Sequence, residues 1–196
     1  MVIPASAQVY SANIVGYVNY AQAAGTFDIA ANPLNNGNND VSTVFANAAS
    51  YPNLTIFKRN AAGTGYDFSS FDPDLSAWTS PLAIAPGDGF WVSTPAGAAF
   101  ATTFVGEVIQ NSTNSLPAGF SLKGSVFPQG GNLQTDLGIP AAANDAVYVW
   151  NGAGYTTSIN DPDLGTWDIP PVVKVAQGFW YYNAGAAKSW VKNYTP

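Results

Sequence analysis

The 196-residue chain contains no cysteine, no histidine and a single glutamate, Glu107. Zinc and haem sites built on Cys or His are therefore excluded, and so are Ser-His-Asp and Cys-His nucleophile systems. Without Cys, the redox compartment stays open. Charge is also scarce: 9% of residues are charged, against roughly 25% in an ordinary soluble domain. With six Lys and Arg and a formal charge of −6, the chain lacks the clustered cations that bind phosphate, which excludes nucleic acid as a partner. No run of about 18 apolar residues exists, so no membrane span is expected. Aromatics make up 14%, too many for a disordered acidic tail.

In place of charge the chain carries Asn, 18 residues in all, with Ser, Thr, Gly and Ala. A neutral polar surface repels weakly and hydrogen-bonds well, which favours contact with sugars or with further copies of the chain. Near the start, Ala5-Ser6-Ala7 has the small-x-small form accepted by signal peptidase. It reads as the tail of an export signal, with maturation after Ala7 and a secreted product.

Self-comparison finds an internal duplication. Gly65-Tyr66, Asp72-Pro73-Asp74-Leu75, Trp78, Pro81 and Gly89-Phe90-Trp91 recur, at a constant offset of 89, as Gly154-Tyr155, Asp161-Pro162-Asp163-Leu164, Trp167, Pro170 and Gly178-Phe179-Trp180. Upstream, Phe27-Asp28-Ile29 and Gly37 match Phe120-Ser121-Leu122 and Gly130 at an offset of 93. The expected division is an export remnant and strand over 1–24, a first repeat over 25–109, a polar linker over 110–117 and a second repeat over 118–196.

Apolar or alternating runs at Val9 to Tyr20, Leu54 to Phe57, Gly89 to Val92, Phe100 to Val105, Ala146 to Trp150 and Gly178 to Tyr182 predict strands. Closely spaced Gly and Pro (19 and 14 residues) leave no room for long helices. Short helices fit only at Val41 to Ala49 and Leu133 to Leu137. The predicted fold class is all-β: two tandem, homologous, β-sandwich-like units of about 90 residues.

Gln8 to Asn19, the turn Ala31-Asn32-Pro33-Leu34-Asn35-Asn36-Gly37, the strand Pro86 to Val92 and the segment Phe104 to Val108 together resemble uncharacterised secreted β-rich repeat proteins of planctomycete- and verrucomicrobium-type bacteria. The resemblance implies export and a repeated architecture, and it implies no activity.

Three features could carry chemistry. Asp72 with Asp74, and Asp161 with Asp163, place paired carboxylates in a loop. Calcium takes six to eight oxygen ligands and is often served this way; a plain Asp-Pro turn uses the same residues, and a glycosidase pair could in principle do so. The second feature is Phe90-Trp91 and Phe179-Trp180-Tyr181-Tyr182. Neighbours in a strand point to opposite faces, so one ring of each pair enters the core while Trp91, Trp180 and Tyr182 face out. Such rings suit burial between sheets, contact with another protein, or stacking on sugar. The third feature, the Gly/Asn turns at Asn35 to Asn39 and Gln129 to Asn132, lacks the Lys-Ser/Thr ending of a phosphate loop. Asn53, Asn111 and Asn193 begin glycosylation sequons.

The leading expectation is a secreted, non-enzymatic structural protein that assembles with copies of itself into a fibre or surface layer. The strand over Val9, Tyr10, Ile14 and Tyr17 has no evident counterpart in the second repeat, and it could add to a neighbouring molecule. The alternative is a carbohydrate-binding module that holds polysaccharide on its outward aromatics.

Overall fold

The computed structural model describes residues 14–193. The first unit begins with β1 (Val15–Gln22) and closes with β7 (Phe100–Glu107), which pair antiparallel from Val15↔Glu107 to Gln22↔Phe100. Their alternation sets the sides of this ribbon. Val18, Tyr20, Phe100 and Phe104 point inward, while Val15, Tyr17 and Val105 are exposed. Between them lie β2 (Phe27–Ala31), α1 (Val41–Val44), β3 (Thr55–Arg59), β4 (Tyr66–Asp72), β5 (Ala77–Trp78) and β6 (Gly89–Ser93). The strands form a five-stranded sheet in the order β2-β6-β3-β4-β5. The inner face of this sheet, with Ile56, Phe90 and Val92, packs on the ribbon. Phe45, just past α1, fills the middle, its ring 5.8–5.9 Å from those of Phe90, Phe100 and Phe104. Asp40 caps α1 by accepting from the Ser42 amide.

The second unit repeats this plan with β8 (Asn111–Leu116), β9 (Gly119–Lys123), β10 (Gly131–Asn132), β11 (Ala146–Trp150), β12 (Tyr155–Asp161), β13 (Thr166–Trp167), β14 (Val172–Val173), β15 (Phe179–Asn183) and β16 (Lys188–Asn193). Its main sheet runs β9-β15-β11-β12-β13, the same order strand for strand. The all-β, two-unit, sandwich-like reading therefore holds. Two boundaries change. Residues 110–117 are no linker: β8 pairs with β16 just as β1 pairs with β7. The strand before the first repeat thus has a counterpart, and β1, inside the expected 1–24 segment, belongs to the first sandwich. The helix expected at Leu133 to Leu137 is a hydrogen-bonded turn, its start held by the Asn132 side chain accepting from Gln134 and Thr135 amides. Among the described residues no helix is long and apolar enough to cross a membrane.

The two units join edge to edge with reciprocal contacts. The Ala31 amide donates to Ala176 O at 2.8 Å, and the Gly124 amide donates to Gly87 O at 3.0 Å. In the repeat, Ala31 corresponds to Gly124 and Gly87 to Ala176, so these bonds are one contact made twice about a pseudo-two-fold axis. The bridges Ala30↔Gln177 and Asp88↔Lys123 form a second such pair. Glycine is required here by space. A Cβ on Gly89 would lie 2.7 Å from Lys123 O, one on Gly178 2.5 Å from Ala30 O, and one on Gly124 2.0 Å from the Ala31 Cβ. Beside the junction, Val126, Phe127 and Ala176 pack into the first core, while Leu133, Val147, Phe179 and Trp190 build the second.

One difference between the duplicated cores exchanges apolar side chains for a buried charge pair. Where the first has Leu54, Val92 and Phe100, the second has Asp145, Tyr181 and Lys188. Asp145 is 0% exposed. It accepts from Lys188, from the Tyr181 hydroxyl at 2.6 Å, and from the amides of Ala142 and Ala184. Burial alone would raise its pKa, but these four donors hold it below the usual carboxylate range. We expect Asp145→Ala to cost about 3 kcal/mol or more, since it strands a largely buried cation. The triple exchange Asp145→Leu, Tyr181→Val, Lys188→Phe should match or exceed the parent in thermal melting. The depressed carboxyl stabilises the fold above the unfolded value near 3.9 and stops doing so as pH falls through the lower folded value. Melting curves against pH should show this acid-side loss reduced in the triple variant.

Candidate functional site

The outer faces of the two main sheets carry the aromatic residues that the cores do not use. Register dictates this. Phe90 is buried, so Trp91 faces out, where it pairs with Phe57, and Phe57 pairs in turn with Phe68. Phe27 completes the row, with ring centroids 6.3 Å from Phe57 and 6.4 Å from Trp91. In the second unit Phe179 and Tyr181 are buried while Trp180 and Tyr182 face out. Phe120 lies 4.8 Å from Tyr182 and 5.8 Å from Tyr148, and Trp150 lies 5.2 Å from Tyr155.

The two rows interlock across the junction. Trp150 of the second unit packs edge-to-face on Trp91 of the first at 5.3 Å, and its indole N–H donates to Phe27 O at 2.9 Å. At the equivalent position of the first unit stands Arg59, whose guanidinium lies 5.1 Å from the Trp180 ring centroid of the second. Each unit thus lays the end of its third strand over the other's outward tryptophan. The outcome is one aromatic face, on which Phe27, Phe68, Phe120 and Tyr66 are 44–57% exposed. A pocket of about 430 Å³ opens on it, lined by Phe27, Phe57, Tyr66, Trp91 and Trp150.

Phe27 and Trp150 also line a second cleft, of about 450 Å³, between the units. Its other walls mix the polar Asn19, Asp28, Asn151, Lys174 and Gln177 with apolar residues such as Ala21, Val175 and Ala176. Asp28 accepts from the Tyr20 hydroxyl at 3.2 Å and from the Ile29 amide at 2.8 Å. Burial raises the Asp28 pKa, outweighing these donors and the nearby Lys174 charge, and burial with the Asp28 charge drives the Tyr20 phenol up.

The residues singled out from sequence fall as follows. Trp91, Trp180 and Tyr182 lie on the aromatic face, half-buried. Tyr17 is 72% exposed on the back of the β1–β7 ribbon, and Ile14 packs partly against the first core. Neither joins the face, and Val9 and Tyr10 lie outside the described residues. The strand considered for exchange between molecules is paired within its own chain along all of Val15–Gln22. Asp72 accepts from the amides of Asp74 and Leu75, and Asp161 from those of Asp163 and Leu164. These are the turns that carry β4 into β5 and β12 into β13, with left-handed residues at Ser76 and Gly165. Among the described residues no group of three or more His, Cys, Asp or Glu is arranged to hold a metal ion. Sequence reasoning missed Phe27, Phe57, Arg59, Phe120, Tyr148 and Trp150. The signal for two of them was the alternation of Tyr148 and Trp150 with valines in β11.

Because Oδ1 of Asp72 and of Asp161 accepts from two backbone amides each, Asp72→Ala and Asp161→Ala should each lower stability by about 1 kcal/mol. The melting temperature of the parent should be the same with and without chelator, as read by differential scanning fluorimetry. Comparison with protein-family models, curated proteins and solved structures finds no match to this chain.

Proposed function

We propose that this is an exported, non-enzymatic binding protein that holds polysaccharide on the aromatic face formed jointly by its two units. The observation that carries this reading is the reciprocal overlay of Trp150 on Trp91 and Arg59 on Trp180, which joins two modest aromatic rows into one surface. Aromatic rings offer large, stiff contact area at small entropic cost, and they match the C–H faces of sugar rings. The rings are flanked by Ser70, Ser93 and Thr157 and by little charge. That suits a neutral polymer better than a charged one. Assembly with further copies of the chain, the other reading of a neutral surface, gains less support, because Val15–Gln22 already has its partner in β7.

The test is retention on insoluble polysaccharides (cellulose, chitin and a mixed β-glucan) together with size-exclusion chromatography and negative-stain imaging. Retention of a monomer on at least one polymer is expected. Tyr66→Ala with Phe120→Ala should weaken it about tenfold or more, taking about 0.5–1.5 kcal/mol per ring contact. Ordered polymers with no retention on any of the three would overturn the reading in favour of self-assembly.

A further inference from the structure

The cleft between the units holds a cation whose head group has no hydrogen-bond or ion-pair partner among the described residues. Of the six Lys and Arg, five have their charged ends engaged. Lys58 pairs with Asp88 and Lys188 with Asp145. Lys123 donates to Asn114 and Lys192 to Asp136 O, while Arg59 donates to Gly63 O. Lys174 forms no salt bridge, and its ammonium makes no hydrogen bond to the described residues; it acts on Asp28 only through space. Its backbone, in contrast, is fixed: the Lys174 amide donates to Gln177 Oε1 at 2.9 Å, and Gln177 Nε2 donates to Trp150 O. Lys174, the Asp28 side of the first unit and Trp150 all line the same cleft. Two amide groups face the same space. The Asn151 side-chain oxygen is occupied by the Ala153 and Gly154 amides, and that of Asn19 by the Thr103 hydroxyl, while neither NH₂ group donates to another of the described residues.

A cation and a carboxylate lining one cleft, next to an aromatic wall, match one chemical pattern well. Adjacent hydroxyls on a sugar ring each donate and accept, so one gives its proton to a carboxylate while its neighbour accepts from an ammonium. The cleft volume of about 450 Å³ falls within the range typical of small-molecule sites. We infer that this cleft is a second subsite, continuous with the aromatic face through Phe27 and Trp150, and that it takes a neutral sugar ring through vicinal hydroxyls held by Asp28 and Lys174. An acidic sugar is disfavoured by the Asp28 charge and by the net charge of −6. The inference rests on the polysaccharide reading of the face and assigns the class of sugar.

Isothermal titration calorimetry of the full chain against cellohexaose, chitohexaose and mannohexaose, with a galacturonate hexamer alongside, tests it. Binding of at least one neutral hexamer is expected, weakened about tenfold or more by Lys174→Met and by Asp28→Asn. Asp28→Asn keeps one oxygen for the Ile29 amide and turns its NH₂ to the Tyr20 hydroxyl, which accepts from it while donating to Gln22 Oε1, and both variants should melt within a few degrees of the parent, so lost binding is not lost folding. Retention on the insoluble polymer, which the face supplies, should survive Lys174→Met in large part and fail in the Tyr66→Ala, Phe120→Ala variant. Neutral hexamers bound equally by the parent and Lys174→Met would overturn the subsite while leaving the face intact. Tighter binding of the galacturonate hexamer, lost in Lys174→Met, would overturn the choice of a neutral sugar. No binding of any hexamer together with no polymer retention would overturn the polysaccharide reading itself.

Discussion

The backbone contact between Ala31 and Ala176, repeated between Gly124 and Gly87, is the constraint on which the rest of the molecule depends. Two sheet edges meet there so closely that side chains are forbidden at Gly89, Gly124 and Gly178. Such edges are normally a hazard, because their free amides and carbonyls invite pairing with other chains. Here each unit spends the hazard on the other. The approach also fixes how the outer faces meet, since it brings the ends of β3 and β11 within reach of the opposite unit's outward tryptophan. A looser junction would leave two separate rows of rings and no cleft between them.

Duplication gives the molecule an internal control for its own energetics. The same fold is filled in one copy by Leu54, Val92 and Phe100 and in the other by Asp145, Tyr181 and Lys188. The second solution is sustainable because both oxygens of Asp145 have donors, Ala184 on Oδ1 and Lys188, Tyr181 and Ala142 on Oδ2, which meets the condition for burying a carboxylate at all. The same comparison explains the clasp. Arg59 and Trp150 occupy equivalent strand ends, and both present a flat, delocalised group to an indole. Identity was not kept at this position, but planarity was.

Much of this was legible in the sequence, and the parts that were not share a physical cause. The strand positions and the equivalence of the two units follow from alternation and repeat offsets, and outward-facing Trp91 and Trp180 follow from the period of two. β8 was not legible because Asn111-Ser112-Thr113-Asn114-Ser115 is a polar stretch with turn chemistry; its inward Ser112 and Asn114 make hydrogen bonds where β1 makes apolar contacts. The clasp was not legible because self-comparison rewards identical residues, and Arg59 and Trp150 differ. The cleft could not be seen at all, since Asp28, Lys174 and Trp150 come together only once the units dock. The Asp-Pro-Asp repeats stood out strongly and mark two equivalent turns, since recurrence selects for shared geometry as readily as for shared chemistry.

The central claim is that two units lock into one body and thereby create one aromatic face. Nuclear magnetic resonance of the labelled protein tests it most directly, through contacts of the Trp150 indole and through the tumbling of each unit. The account predicts Overhauser effects from Trp150 to the rings of Trp91 and Phe27, a slowly exchanging Trp150 indole N–H, and one shared rotational correlation time for residues 15–107 and 111–193. Separate correlation times for the two segments, with those ring contacts missing, would contradict it.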